Sequence, residues 1–230
     1  LMKGLHFKKR AYFTARSLKK SGVKVCGDVL VSADSKIERG AELYGPCIVS
    51  GASEIRAGAK IMPFSHIENS LVGKGAVIRA STLINSRVGA DCSVGPYAFL
   101  RAGADLGEGC RVGDFVEIKN STLGTGCKAA HHAYIGDASL GKCVNVGCGV
   151  VFANYDGTVK ARSIVGDGCF IGCNCNIVAP VKLGAGAYVA AGSTVTRDLA
   201  PLDFCIARQR EKIRPRGAEG RYKNGQILRD

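Results

Sequence analysis

The sequence predicts an all-β fold in which the chain winds into a parallel β-helix built from six-residue repeats. Three observations predict it. An aliphatic residue returns at every sixth position, a small residue follows it at a fixed offset, and glycine often stands directly after it. Hydrophobic residues make up 46% of the 230 positions, which is enough for a sizeable core. No apolar run approaches the ~18 residues of a membrane span, so we expect no transmembrane helix.

The six-residue period begins at Val25 and recurs in three long runs. A short strand, a corner and another short strand describe one wall of a prism, and three walls make a coil of 18 residues. Parallel pairing stacks such coils at ~4.8 Å per layer, which gives roughly nine or ten coils. Prisms of this kind are left-handed. The aliphatic residues are Val25, Val31, Ile37, Leu43, Val49, Ile55, Ile61 and Ile67, then Val88, Val94, Leu100, Leu106, Val112 and Ile118, then Val165, Ile171, Ile177, Leu183, Val189 and Val195.

The cysteines fit the same repeat. The position four residues after the aliphatic is small, and six of the eleven cysteines occupy it: Cys47, Cys92, Cys110, Cys127, Cys169 and Cys175. Free cysteine packs as a small hydrophobe, so these residues are expected in the core. The odd count and the lack of a CxxC pair favour a reduced, cytoplasmic setting over a disulfide framework.

The two ends differ from the repeat. Residues 1–24 hold eight Lys and Arg and no acid, and they are predicted to form a basic helix or linker with Ala11, Ala15 and Leu18 on one face. Such a helix caps the open end of the column or lies on a membrane surface. Residues 25–200 form the β-helix domain, and residues 201–230 form an irregular tail. The net charge of +13 lies in the ends, so the body lacks the basic stripe of a nucleic-acid binder.

The repeat breaks in three places, and function tends to occur where a regular repeat is interrupted. The spacing slips between residues 67 and 88 and again at residues 129–134. It fails at residues 152–160, where a polar, turn-rich stretch predicts a loop thrown out from the column.

Two groups of residues are candidates for chemistry. His131 lies in the second break beside Tyr134, and its neighbour His132 is expected on the opposite face. Only four histidines are present, so a three-histidine zinc site is not expected and no metal is predicted. Arg101 and Lys119 are 18 residues apart, one full coil. Two stacked cations suit a phosphate, although scattered surface charge would produce the same spacing.

Several stretches resemble one enzyme family. They are Leu100–Ala104, Gly113–Lys119, Val144–Gly147, Asn154–Gly157 and Ala190–Arg197. Over roughly residues 25–210 they are similar to the acetyltransferase half of the bifunctional glucosamine-1-phosphate acetyltransferase and N-acetylglucosamine-1-phosphate uridyltransferase (GlmU-type) family. The resemblance implies a homotrimer with sites between subunits. It also implies acetyl-CoA as co-substrate and a role in supplying UDP-N-acetylglucosamine for peptidoglycan precursors.

The resemblance also implies a role for each site residue. His131 is the general base that takes a proton from the glucosamine amine, and Glu117 orients it. The sugar phosphate is held by Arg101, Lys119, Tyr134, Asn145 and Lys160, and the site is lined by Asn154 and Tyr155. Contacts with acetyl-CoA come from Cys148, Cys173, Ala191 and Arg208.

This sequence departs from the family at some positions. The family commonly has alanine and serine where Cys148 and Cys173 stand, and glycine where Ala130 stands. Residues 1–24 supply no counterpart of the family's nucleotide loop, so we expect neither uridyl transfer nor a magnesium requirement. Two alternatives stay open: N-acyl transfer to another amino sugar, including a nucleotide-linked one, and a non-catalytic β-helix that binds sugar nucleotides.

Overall fold

The computed structural model describes residues 12–216 and the backbone of two short strands beyond them, Tyr222–Lys223 and Gln226–Ile227. Successive strands form three walls, and along each wall a strand pairs in parallel with the strand three further along the chain, except that the last strand of the first wall is two further along. This is the parallel β-helix that the six-residue period predicts, with the left-handed winding expected of such prisms. Adjacent coils are offset by 16 to 18 residues, except for one coil in which the offset is 25, as between Asn145 and Phe170. For example, Arg87 pairs with Leu71 and Lys119 pairs with Arg101.

The first wall contains eleven strands within the described residues. Numbered in chain order over the whole molecule, they are β1 (Lys24–Cys26), β4 (Glu42–Tyr44), β7 (Lys60–Ile61), β10 (Val77–Ile78), β13 (Ser93–Val94), β16 (Arg111–Asp114), β19 (Lys128–His131), β22 (Asn145–Val146), β25 (Phe170–Ile171), β28 (Tyr188–Val189) and β30 (Phe204–Cys205).

The second and third walls contain ten and nine strands of the described chain. The second wall is β2 (Val29–Val31), β5 (Cys47–Ser50), β8 (His66–Glu68), β11 (Thr82–Ile84), β14 (Phe99–Arg101), β17 (Glu117–Lys119), β20 (Tyr134–Gly136), β23 (Val151–Ala153), β26 (Asn176–Val178) and β29 (Thr194–Val195). The third wall is β3 (Lys36–Ile37), β6 (Glu54–Ile55), β9 (Leu71–Val72), β12 (Arg87–Val88), β15 (Asp105–Leu106), β18 (Thr122–Leu123), β21 (Ala138–Leu140), β24 (Ser163–Val165) and β27 (Lys182–Leu183).

The core is a ladder of aliphatic side chains inside the prism. Every aliphatic residue of the three predicted runs is buried, except that Ile37 is half-buried. Each such side chain contributes about 1.5–3 kcal/mol relative to an exposed one. The six cysteines at the small inward position are also buried and free, as predicted. All eleven cysteines lie within the described residues, and none forms a disulfide there.

The N-terminal end of the column is covered by a short helix of six residues. Helix α1 spans Ala15–Lys20, and the Thr14 hydroxyl accepts a hydrogen bond from the Ser17 N–H at its start. Leu18 is buried in the core, while Ala15 is exposed and Ala11 lies outside the described residues. Among the described residues, no helix is long and apolar enough to cross a membrane.

The C-terminal end departs from the predicted boundary at residue 200. Strand β30 pairs in parallel with β28, because the Ala190 N–H donates to the Cys205 carbonyl and Phe204 stacks on Tyr188. The column therefore continues to Cys205. Beyond it, β31 (Tyr222–Lys223) and β32 (Gln226–Ile227) form an antiparallel pair in the predicted tail.

Candidate active site

The His131 side chain meets a carboxylate from the coil below. His131 ends β19 and lies in register with Asp114, which ends β16 and precedes it by 17 residues. The His131 Nδ1 atom lies 2.6 Å from Asp114 Oδ1. This contact is the largest of the effects that lower the pKa of Asp114. An ionised Asp114 can only accept a hydrogen bond, so this contact favours, in neutral His131, the tautomer that carries the proton on Nδ1 and a lone pair on Nε2.

Glu117, which was expected to orient His131, has a different partner within the chain. Glu117 does not orient His131 within the chain, because its Oε1 atom binds the Arg101 guanidinium at 2.7 Å from Nε and 2.6 Å from Nη2. Such a forked pair holds both side chains in a fixed geometry. The Asp114 carboxylate makes the contact that was expected of Glu117.

Arg101 and Lys119 lie in register on adjacent coils of the second wall, in agreement with their 18-residue spacing. They are not free of acids, however, because Glu117 lies on the same wall and neutralises Arg101. Tyr134 lies in register with Glu117 one coil further along. Arg101, Glu117, Lys119 and Tyr134 therefore form one polar patch, which we call the second-wall patch.

A corner with three neighbouring aromatic rings separates His131 from the second-wall patch. Tyr97, Phe115 and His132 occupy this corner with φ values of 57°, 54° and 41°. Their ring centroids are 5.6 Å apart for Tyr97 and Phe115 and 4.9 Å apart for Phe115 and His132. We call these three residues the aromatic ridge. His132 is thus part of this ridge, at the corner that follows the His131 strand.

A cavity of about 440 Å³ on the first wall contains His131. We call it the His131 cavity. Its lining residues are Arg79, Ser93, Gly95, Arg111, Val112, Gly113, Asp114, Ala130 and His131. Arg101 and Lys119 do not line it. Within one chain, the predicted base and the predicted phosphate-binding cations therefore face different sides of the aromatic ridge.

The predicted coenzyme contacts form a line that continues from His131. Val146 pairs with Ala129, Ile171 with Val146, and Val189 with Ile171. Two residues further along each strand, the same register places His131, Cys148, Cys173 and Ala191 on successive coils. Cys148, Cys173 and Ala191 are all exposed. Arg208 lies beside this line, where a methyl group on Gly192 would lie 3.5 Å from its Cδ, and Asn145 is half-buried on the same wall.

The predicted loop is shorter than expected. Phe152 is fully buried and belongs to β23, so the excursion begins at Asn154. Tyr155 pairs with Lys160 in an antiparallel bridge across it. The Asp156 carboxylate accepts hydrogen bonds from the Thr158 and Val159 N–H groups, both at 2.7 Å. The loop is therefore an ordered hairpin.

A buried carboxylate that the sequence reasoning missed connects this loop to the column. Asp137 accepts hydrogen bonds from the side-chain amides of Asn120 and Asn154, which lie one coil below and one coil above it. Burial raises the pKa of Asp137, but these two hydrogen bonds and the charges of Lys119 and Lys160 outweigh it and lower the pKa overall. Both Asp114 and Asp137 were detectable, since each stands one coil length from a residue that it contacts.

No group of three or more His, Cys, Asp or Glu side chains that could hold a metal ion occurs among residues 12–216. The chemistry that the geometry offers is that of a histidine with a free Nε2 atom, one carboxylate partner and nearby cations.

Known proteins share this fold and these repeats. Residues 162–197 match the family described as Bacterial transferase hexapeptide (six repeats). The UDP-N-acetylglucosamine acyltransferase of Francisella novicida superposes with a TM-score of 0.56 at 13% identity, covering 80% of this chain and 66% of that one. The fold and the repeats thus define the class by its architecture, that of the hexapeptide-repeat β-helix proteins.

Within that class, the chain is similar to the bifunctional protein GlmU. It is 53% identical over 150 residues to GlmU of Clostridioides difficile strain 630, which covers 65% of this chain and 33% of that protein. The identity to GlmU of Exiguobacterium sp. strain ATCC BAA-1283 / AT1b is 53% over 151 residues, with coverage of 66% and 34%. The resemblance found in the sequence is confirmed. The chain spans about one third of the length of these relatives.

Proposed function

We propose that the protein is an acetyl-CoA-dependent N-acetyltransferase that converts glucosamine 1-phosphate to N-acetylglucosamine 1-phosphate. The observation that carries the proposal is the Asp114–His131 pair. It lies on a β-helix that is similar to GlmU over about two thirds of this chain. Acetyl transfer to an amine needs a base close to neutrality, and imidazole is the side chain suited to that task.

In the proposed reaction, His131 acts as the general base through Nε2. The neutral amine of the sugar attacks the thioester carbonyl of acetyl-CoA, and its proton passes to Nε2. The carbon–sulfur bond then breaks, the coenzyme leaves as the thiolate, and the proton returns from His131 to that sulfur. Asp114 is a positioning residue, because it holds the Nδ1 proton and stabilises the imidazolium that forms.

The transient oxyanion needs a hydrogen-bond donor close to His131. The Cys148 N–H is suited to this role: Cys148 stands one coil above His131, and its N–H has no acceptor within the described part of the chain. Donors already fixed in place cost no reorganisation during the reaction. The exposed line of Cys148, Cys173 and Ala191 then leads the coenzyme away toward Arg208.

We further propose that the working unit is a homotrimer with sites between subunits. The aromatic ridge supports this, because it separates the His131 cavity from the second-wall patch within one chain. A neighbouring subunit could bring its own second-wall patch, with Arg101, Lys119 and Tyr134, to the His131 cavity. Asn154, Tyr155 and Lys160 would approach the same sugar from the hairpin, and Asn145 from the first wall.

The proposal is tested by mass spectrometry of the acetylated product from glucosamine 1-phosphate and acetyl-CoA. Direct detection of the product avoids thiol reagents, which the exposed cysteines would consume. We expect turnover of the phosphorylated sugar to exceed that of plain glucosamine by on the order of 10²–10⁴ in kcat/KM, as two charge-assisted phosphate contacts would give. Equal use of both sugars, or no acetyl transfer, would contradict the proposed acceptor or the proposed activity respectively.

A further inference from the structure

The His131 cavity holds two cations that the proposed reaction does not use. Arg79 and Arg111 line it together with Ser93. The Arg79 Nη1 atom donates to the Ser93 hydroxyl oxygen at 3.0 Å, and this hydroxyl is uncharged. Among residues 12–216, neither guanidinium has a carboxylate within ion-pair distance. The one carboxylate in the cavity, Asp114, is engaged by His131.

The same wall also contains stacked cations that are neutralised by an acid. Near its N-terminal end, Lys24, Glu42 and Lys60 lie in register, and Glu42 binds the two lysines at 3.1 and 3.3 Å. Further along the same register line, Ser93, Arg111 and Lys128 are successive members, and this stretch of the line has no acid. Two like charges one strand spacing apart repel, and a bound anion would relieve that repulsion.

The position of the cavity makes it suitable for a reactant. Arg111 stands one coil below Lys128, on the strand that pairs with the His131 strand. The floor between the cations and His131 has only small residues, because Gly95, Gly113 and Ala130 occupy the positions above Arg79. A methyl group on Gly113 would overlap the Ala130 backbone, so no side chain fits at that position of the cavity floor. The proposed coenzyme line leaves His131 in the opposite direction, toward Cys148.

We propose that the His131 cavity is an anion subsite in which Arg79 and Arg111 hold a phosphate of one of the two reactants. This inference rests on the proposed function for the identity of the reactants. The ligand chemistry is that of a phosphate monoester or diphosphate, and its two sources are the phosphorylated acceptor and the nucleotide end of the coenzyme. Guanidinium groups bind phosphate oxygens in pairs, which gives both affinity and orientation.

The first experiment does not need activity. Inorganic phosphate is titrated into the full chain while the imidazole resonances are followed by NMR, with the His131 signals assigned from the His131→Ala spectrum. We expect phosphate to shift the His131 signals. In Arg111→Ala and in Arg79→Ala, the apparent Kd for that shift is expected to rise about 10-fold or more.

The matched control is Arg87→Ala. Arg87 is also an exposed arginine, but it lies on the third wall and pairs with Asp105 at 3.8 Å. It is expected to leave the phosphate-dependent shift unchanged. A His131 shift that persists in the Arg79/Arg111 double variant, or its absence from the wild-type protein, overturns the subsite whether or not acetyl transfer is observed.

Kinetics then distinguish the two sources. A rise in KM for glucosamine 1-phosphate alone in Arg111→Ala assigns the phosphate to the acceptor. A rise in KM for acetyl-CoA, but not for acetyl-pantetheine, which lacks the nucleotide phosphates, assigns it to the coenzyme. Unchanged KM values for all three compounds overturn the proposal.

Discussion

At the scale of single residues, the stacking of coils determines which side chains meet. The contact of His131 with Asp114 joins two residues 17 positions apart, and so do both contacts of Asp137. Glu117 is closer to His131 in sequence, yet it lies beyond the corner and binds Arg101. In a column of this kind, one coil length is a better guide to contacts than proximity in sequence.

Replacing His131 by alanine removes the proposed base. We expect kcat to fall by roughly 10²–10⁴-fold, the usual effect of losing a general base, with a modest change in KM for acetyl-CoA. His132→Ala is the matched control, since it removes only one ring from the aromatic ridge, and it should change kcat little. Equal losses in steady-state assays of the two variants would refute the assignment of the base.

Replacing Asp114 by asparagine tests its positioning role. An amide cannot stabilise the imidazolium as a carboxylate does, so kcat should fall by at least ~10-fold, about 1.4 kcal/mol of transition-state stabilisation. The KM for either substrate should change little. Glu117→Gln is the comparison, and it is expected to alter KM for the sugar phosphate through Arg101. If Glu117→Gln reduced kcat while Asp114→Asn did not, Glu117 would be the orienting residue after all.

At the scale of elements, the sequence was sufficient to predict the column and its interior. The period of six placed the aliphatic and cysteine ladders correctly because each inward position must be filled by a side chain of limited volume. The period says nothing about outward side chains, whose partners depend on the length of each coil, which is 16 to 18 residues or, across the hairpin, 25. Asp114, Asp137 and the aromatic ridge were missed for that reason, and Phe152 was assigned to a loop although it fills the core.

The hairpin at 154–160 depends on Asp137. In Asp137→Asn, the new amide faces the amides of Asn120 and Asn154, and the lost hydrogen bonds should cost about 1–3 kcal/mol of unfolding free energy. Because the pKa of Asp137 is lowered on folding, its stabilisation is present above the ordinary aspartate pKa and is lost as pH falls through the lowered value. Denaturant unfolding should therefore show the two proteins converging in stability as the pH is lowered below about 4. A constant difference over that range would contradict this role.

At the scale of the whole molecule, the residues of the proposed site lie on two faces of the column. The His131 cavity lies on the first wall and the second-wall patch lies across the aromatic ridge, so the proposed function requires assembly to bring them together. Sedimentation equilibrium is expected to give three times the 24.1 kDa chain mass. An active monomer would contradict the shared site, and so would full activity in a variant that no longer associates.

Mixed assemblies test the sharing directly. Subunits carrying His131→Ala lack the proposed base, and subunits carrying Lys119→Ala lack one of the proposed phosphate contacts. If each site takes these residues from different subunits, mixing the two variants should restore some sites with both residues intact. Activity of the mixture above the mean of the two separate variants, measured with glucosamine 1-phosphate, is the expected result. No gain on mixing would indicate that both residues act from the same chain.

The N-terminal segment has a consequence for how the columns behave in solution. A parallel β-helix ends in strands whose outer N–H and C=O groups have no partner, and such an edge invites a second column to add end to end. Tyr12 bridges Ser32 in the antiparallel sense, the Phe13 N–H donates to the Val31 carbonyl, and Leu18 is buried at the N-terminal end of the core. We therefore expect the short helix and the described residues before it to block end-to-end association of columns. A chain shortened to begin at Lys24 should associate into linear aggregates.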